Sequence, residues 1–238
     1  MRKKRKKLGV VIPLANEEKT IDTLLNGITS HLTPQDRIFC ILDYASSDMT
    51  RKKVTAYKKR DKRVRLVWAP EDRNVVDAYF RGYREALDND CEWILEMDGG
   101  MSHDPAEIPL FLEAMEMGYD FAAGSRFVKN GGFSGSFWRK TLSSGGTILT
   151  NLVLKTRMHD MTSGFECFTR QALEYVLQQG VQSSAHFFQT EIRVMMHRFR
   201  WIEIPIHYHC TCHRVAASSV IESLRILCHL AGKGRNSE

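Results

Sequence analysis

The 238-residue sequence predicts a single α/β domain, a mainly parallel sheet with helices on both faces. Three observations lead there. Apolar runs of strand length alternate with amphipathic runs of helix length through the first half, at the spacing of right-handed crossovers. Hydrophobic residues make up 43% of the chain and charged residues 26%, enough to bury a core and too polar for a membrane-spanning bundle. No internal repeat or low-complexity linker divides the chain. One domain is therefore expected over residues 8–230, between a basic arm (1–7) and a short tail (231–238).

The elements follow in order. Leu8–Pro13 is a continuous apolar run and reads as a buried strand, followed by a helical pattern from Glu18 to Ile28. Arg37–Asp43 repeats the strand signal, and a polar helix spans Met49–Lys59. Val64–Trp68 is the third strand, with a helix after it that ends near Ala86. Glu92–Met97 is the fourth, and a helix runs from Pro105 to Met117. Tyr119–Ala123 is the fifth. Residues 129–147, rich in Gly, Ser and aromatics, read as an ordered irregular loop able to cover a site. Helices are then expected at Leu142–Lys155, Arg170–Gln178, Phe187–Phe199 and Ser218–Leu230, with a strand at Trp201–Ile206.

Charge narrows the function classes. Residues 2–7 hold six of the 34 basic side chains, which leaves 28 basic against 28 acidic in the remainder, so the basic character belongs to an arm. Such an arm reads first as a solvated terminus and second as a contact for an anionic membrane surface. Nucleic acid is not expected, because the body of the chain supplies no second basic stripe. No run approaches the ~18 apolar residues of a spanning helix, and no apolar segment follows the basic run as in a secretory signal. The expected location is cytoplasmic, with peripheral attachment to a membrane. Six cysteines are too few for a disulfide framework. The segment His207–His213 is rich in His and Cys, but strand alternation sends His207 and His209 to one face and Cys210 and Cys212 to the other, against a shared metal.

In a parallel sheet, ligands bind outside the carboxyl ends of the strands. Three such ends carry acids: Pro13-Leu-Ala-Asn-Glu17, Asp43-Tyr-Ala-Ser-Ser-Asp48 and Asp98-Gly-Gly-Met-Ser-His-Asp104. Carboxylates gathered there suit a phosphate-bearing ligand with a divalent cation. Neither a Walker-type loop nor G-x-G-x-x-G follows a strand, which argues against ATPase and dinucleotide chemistry.

Taken in order, Val10–Glu18, Leu42–Asp48 and Met97–Pro105 resemble the family 2 inverting glycosyltransferases of GT-A (Rossmann-like) fold. Gly124-Ser-Arg-Phe127, Trp138-Arg139, His159–Phe165, Gln189-Thr-Glu191 and Glu203-Ile-Pro205 are similar to the polyprenyl-phosphate, or dolichol-phosphate, mannosyltransferase branch. The resemblance implies transfer of a hexose from a GDP- or UDP-sugar to an acceptor, a polyprenyl phosphate or a saccharide hydroxyl, with inversion. It implies that Pro13, Asn16 and Glu17 line the nucleotide pocket and that Asp43 holds base or ribose. It implies Asp98 as ligand to Mg²⁺ or Mn²⁺, with Ser102 beside it, and Arg126 and Arg139 facing phosphates. It further implies that Asp160, Ser163 and Gly164 shape the acceptor side and that Gln189 and Glu191 lie near the sugar, with Glu191 the candidate base where the acceptor is a hydroxyl.

Two departures stand out. The family's adjacent acids are here Asp43-Tyr44, and its Asp-x-Asp motif is Asp98-Gly99-Gly100, which removes one ligand and one negative charge from the cation site. A non-catalytic relative that binds a sugar nucleotide or a partner is the alternative this supports; a nucleotidyltransferase trails, because Leu14-Ala-Asn-Glu lacks a Gly-rich basic loop. Structural roles compete as well. Asp104 before Pro105 reads as a helix cap, as does Asp48; Glu17 complements a helix dipole; Asp160 suits a turn; Arg126 and Arg139 suit ion pairs.

Overall fold

The computed structural model describes residues 5–72, 74–209 and 217–235. Seven strands form one sheet: β1 (Leu8–Leu14), β2 (Arg37–Leu42), β3 (Val64–Trp68), β4 (Trp93–Glu96), β5 (Phe121–Ser125), β7 (Glu166–Thr169) and β8 (Trp201–Pro205). Their order is β3-β2-β1-β4-β7-β5-β8. A separate parallel pair joins β6 (Gly132–Ser134) to β9 (His207–His209).

Strand alternation builds two cores. Val10 and Ile12 of β1 and Ile38, Cys40 and Leu42 of β2 face one side; Val11, Phe39 and Ile41 face the other. The first side is covered by α1 (Ile21–Ser30), α2 (Thr50–Arg60) and α4 (Ile108–Glu116), and the second by α3 (Val75–Asp88), α6 (Arg170–Gln179) and α7 (Phe188–Met196). Helix α3 lies so close to the sheet that a Cβ at Gly82 would sit 2.2 Å from Cγ1 of Val11. Only glycine permits that approach, and it fixes the whole face of α3.

The sheet is parallel except at β7, which runs antiparallel to both β4 and β5. The sequence reading missed β7, β6 and β9, which have only three or four residues each. Residues 129–147 are not an irregular loop. Beyond β6, helix α5 (Phe137–Leu154) begins five residues before the expected start, with Ser136 as N-cap accepting from the Arg139 N–H. Glycines 145 and 146 give that stretch its loop-like composition, yet both are inside the helix. The first helix starts at Ile21, not Glu18, because Glu17 and Glu18 belong to the turn that precedes it. Helix α8 (Ala217–Arg235) extends into the expected tail.

The basic arm is corrected in its described part. Arg5 is ion-paired with buried Asp36, which also accepts from the Leu8 N–H at 2.9 Å. The Lys7 carbonyl accepts from the N–H groups of Glu92 and Trp93, so residues 5–7 are fastened to the domain. Residues 1–4 lie outside the described part, as do Cys210, Cys212 and His213.

Candidate active site

The carboxyl ends of β1, β2 and β4 open on one side of the sheet. Asn16, in left-handed conformation at φ 59°, clamps the first two loops together. Its Nδ2 donates to the Ala45 carbonyl at 2.9 Å, and its Oδ1 accepts from Ser47 N–H at 2.9 Å. Asp48 accepts from Glu18 N–H and Thr50 N–H, so it ties the loops and starts α2. Asp43 accepts from Ala45 N–H in an Asx-turn. The Asn16 side chain, expected at the nucleotide pocket, thus clamps the two loops at its mouth; Pro13 is the last residue but one of β1. Burial raises the Glu17 carboxyl above its ordinary range; a hydrogen bond from Thr20 opposes this, and Asp48 and Asp98 push it further up.

Asp98 follows β4 with its side chain 39% exposed. Tyr79 of α3 donates to its Oδ1 at 3.1 Å, and its own N–H donates to Nδ1 of His103 at 3.1 Å. His103 is fully buried, stacked on Phe165 at 4.9 Å. A Cβ at Gly99 would meet Leu14 Cδ2 at 2.5 Å and the Pro13 carbonyl at 2.9 Å, so this turn packs hard against the β1 loop. Met101 takes the left-handed position of the turn, φ 60°. Ser102 is buried, with its carbonyl bonded to His209 N–H at 2.9 Å and its side chain to Tyr208. It ties this turn to β9. Asp104 caps as expected, accepting from Ala106 N–H.

A second cluster lies across the opening. Arg126, after β5, is buried and makes a two-pronged pair with Asp160, Nε to Oδ2 at 2.7 Å and Nη2 to Oδ1 at 2.8 Å. Burial pushes Asp160 up, but the charge and hydrogen bonds of Arg126 prevail and hold it at about 2. Arg126 therefore fixes the 159–163 turn as much as it faces the cleft. Tyr208 gathers the two sides. Burial raises its hydroxyl, Asp98 raises it further, and Ser102, Arg126 and Arg139 oppose the rise. The sequence offered no sign of Tyr208 beyond its place between two histidines in β9.

Deeper in, Gln189 donates to Glu96 Oε1 at 3.0 Å, and Gly164 abuts the same amide. Glu191 is buried and accepts from the N–H groups of Gln182 and Ser183 at 2.9 and 2.8 Å. It anchors the loop that leads into α7. Arg193, fully buried, donates to Glu166 and to the carbonyls of Asp160, Gly124 and Ser163. Ser163 thus takes part through its backbone. Sequence reasoning missed Arg193, Glu96 and Glu166. The available signal was a charge inside an apolar period: Arg193 beside Ile192, and Glu96 at the end of Trp-Ile-Leu-Glu.

The opening has an acidic wall of Glu17, Asp48 and Asp98 and a basic side of Arg126 and Arg139. That arrangement suits a diphosphate: arginines meet its oxygens, and carboxylates meet a cation that it carries.

The family model of glycosyl transferase family 2 matches residues 9–177. Polyprenol monophosphomannose synthase of Mycolicibacterium smegmatis is 30% identical over 203 residues, 84% of this chain and 76% of that protein. Dolichol-phosphate mannosyltransferase of Pyrococcus furiosus is 30% identical over 173 residues, 71% of this chain and 48% of its own length. Undecaprenyl-phosphate mannosyltransferase of Micrococcus luteus is 26% identical over 203 residues, 83% and 82% respectively. Among solved structures, glucosyl-3-phosphoglycerate synthase of Mycobacterium tuberculosis with Mn²⁺, UDP and phosphoglyceric acid superposes with TM-score 0.73, covering 95% of this chain and 79% of that one at 14% identity. The fold is GT-A, in one domain.

Proposed function

The chain belongs to glycosyl transferase family 2, and from that premise we propose that it moves a hexose from a GDP- or UDP-sugar to a polyprenyl phosphate, with inversion, at a membrane surface. The observation behind this reading is the exposed Asp98 carboxylate at the end of β4, flanked by Glu17 and Asp48 and opposite the arginines. Pro13, Glu17 and Asp43 form the nucleoside end. Arg139, on the partly exposed start of α5, meets the phosphates, and Arg126 holds the acceptor-side turn of Asp160, Ser163 and Gly164.

A divalent cation fits in reduced form. The described residues hold no group of three potential protein ligands, but one carboxylate with water and substrate phosphates is an ordinary Mg²⁺ environment. Mg²⁺ or Mn²⁺, when bound, supplies positive charge to the leaving diphosphate. The chain's own part is to orient that diphosphate with Asp98 and Arg139 so that the acceptor oxygen attacks from the opposite face. Because Glu191 is occupied as a loop anchor, the site serves an acceptor already ionised at neutral pH, which favours a lipid phosphate over a sugar hydroxyl.

The surface fits a lipid acceptor. Helix α5 presents Phe137, Trp138, Ile148 and Leu152 at 84%, 72%, 67% and 77% exposure, and Ile221 and Leu224 of α8 are also exposed. No described helix is long and apolar enough to cross a membrane, so the reading is a helix pair lying in the interface of a cytoplasmic membrane face.

The second reading, a sugar-nucleotide-binding protein without turnover, draws on the missing acid at Gly100. Turnover assays with GDP- and UDP-hexoses, polyprenyl phosphate and Mn²⁺ separate the two. Transfer that is lost in Asp98→Asn supports the enzyme; nucleotide binding without transfer to any acceptor replaces it with the second reading.

A further inference from the structure

Where a motif with two acids lets one carboxylate compensate for the drift of the other, a single carboxylate has to be held in place by its neighbours. Asp98 is held at both ends. Tyr79 donates to Oδ1 at 3.1 Å from a ring that is itself fully packed, against Tyr83 and against Phe188 at 5.4 Å. The close approach of α3 at Gly82 leaves that hydroxyl no freedom to follow a moving partner.

His103 works from the other side. Its Nδ1 accepts from the Asp98 N–H, so the ring proton of the neutral imidazole belongs on Nε2. Nε2 is buried without a hydrogen-bond partner and lies 3.8 Å from Oδ2 of Asp98. Phe165 stacks on the ring and Tyr208 meets its edge at 5.4 Å, which prevents it from turning toward another acceptor. A buried N–H left unbonded is costly, and Oδ2 of Asp98 is the anionic acceptor that faces it.

We propose that Tyr79 and His103 are positioning residues that hold the Asp98 carboxylate in one orientation for a divalent cation carried on the donor diphosphate. The proposal rests on the transferase reading above and adds how a one-acid motif retains a cation. Partners of metal ligands commonly change metal affinity by about 10–100-fold when removed.

The test is Mn²⁺ titration of the full chain with GDP, and in a parallel arm with UDP, read from the free-ion EPR signal. Wild type is expected to take up Mn²⁺ with one nucleotide and Asp98→Asn to lose it. Tyr79→Phe, which keeps the packed ring, should weaken Mn²⁺ about 10-fold while nucleotide affinity measured without metal stays at the wild-type value. A merely structural role would lower both. His103→Phe retains the stack on Phe165 and should behave alike; if it does not fold, Tyr79→Phe decides. Wild-type Mn²⁺ affinity in Tyr79→Phe overturns the positioning role and leaves the cation reading standing. Absence of Mn²⁺ uptake by wild type with either nucleotide overturns the cation reading and this proposal with it.

Discussion

Glu96 and Glu166 stand directly opposite each other across the β4–β7 ladder, both without exposed surface. Burial pushes Glu166 up to about 7 against the pull of Arg193. Burial, with Glu166 as the next cause, lifts Glu96 well above the carboxylate range. A carboxyl raised in the folded state stabilises below its unfolded value and loses that contribution as pH rises. Glu96→Gln imitates the protonated acid and retains an acceptor for Gln189. The variant should match wild type at pH 4, below the ordinary 4.5, and melt at a higher temperature at pH 8, as thermal denaturation across that range will show. A gap that widens toward acid would refute the assignment.

Gly164 sets a steric test. A Cβ there would lie 2.1 Å from Nε2 of Gln189, whose amide is buried and bonded to Glu96. Gly164→Ala should cost about 1–3 kcal/mol in urea unfolding, the usual penalty for overpacking. Adding Gln189→Ala should recover part of the loss.

The two arginines should separate by what they cost. Arg126→Ala leaves Asp160 buried and unpaired, so a loss of about 3–5 kcal/mol is expected. Because Asp160 is depressed to about 2, its contribution is whole above the ordinary 3.8 and fades as pH falls between the two, so the gap to wild type should close in that window. Arg139→Ala, at a half-buried position, should cost less stability than Arg126→Ala and reduce transfer about 100-fold, as loss of a charge-stabilising donor does. Equal effects of the two on unfolding would contradict the division of roles.

The apolar face of α5 gives a binding prediction. Phe137→Ser with Trp138→Ser should leave the melting temperature unchanged, since both side chains are largely exposed, and should reduce sedimentation with anionic vesicles several-fold. Unchanged sedimentation would leave α5 without a membrane role.

The alternation of strands and helices was legible because each carries its period: β1 to β4 appear within two residues of their expected bounds, and β3 on them. Acids at strand ends pointed to the opening for the same reason, since topology alone puts them there. What stayed hidden was contact between distant segments. Nothing local marks Tyr79 as a partner of Asp98, Glu191 as a loop anchor, or Glu166 as the neighbour of Glu96. Strand β7 was overlooked because four residues leave too short a record of alternation, and the first five residues of α5 because they follow a Gly- and Ser-rich stretch that reads as loop.

The reversed strand also dictates an order of assembly. Strands β1 to β4 lie within the first 96 residues and can pair as they emerge, but the β4 edge accepts only β7, some seventy residues later. Until then β5 has no neighbour to dock on, because β7 separates it from β4. A nascent chain halted before residue 166 would present the open edge of a half-built sheet, the state in which chains associate wrongly. Arrival of Glu166 closes that edge, and the ion pair with Arg193 of α7 then locks it, so the buried charges mark the joint between the first four strands and the later ones.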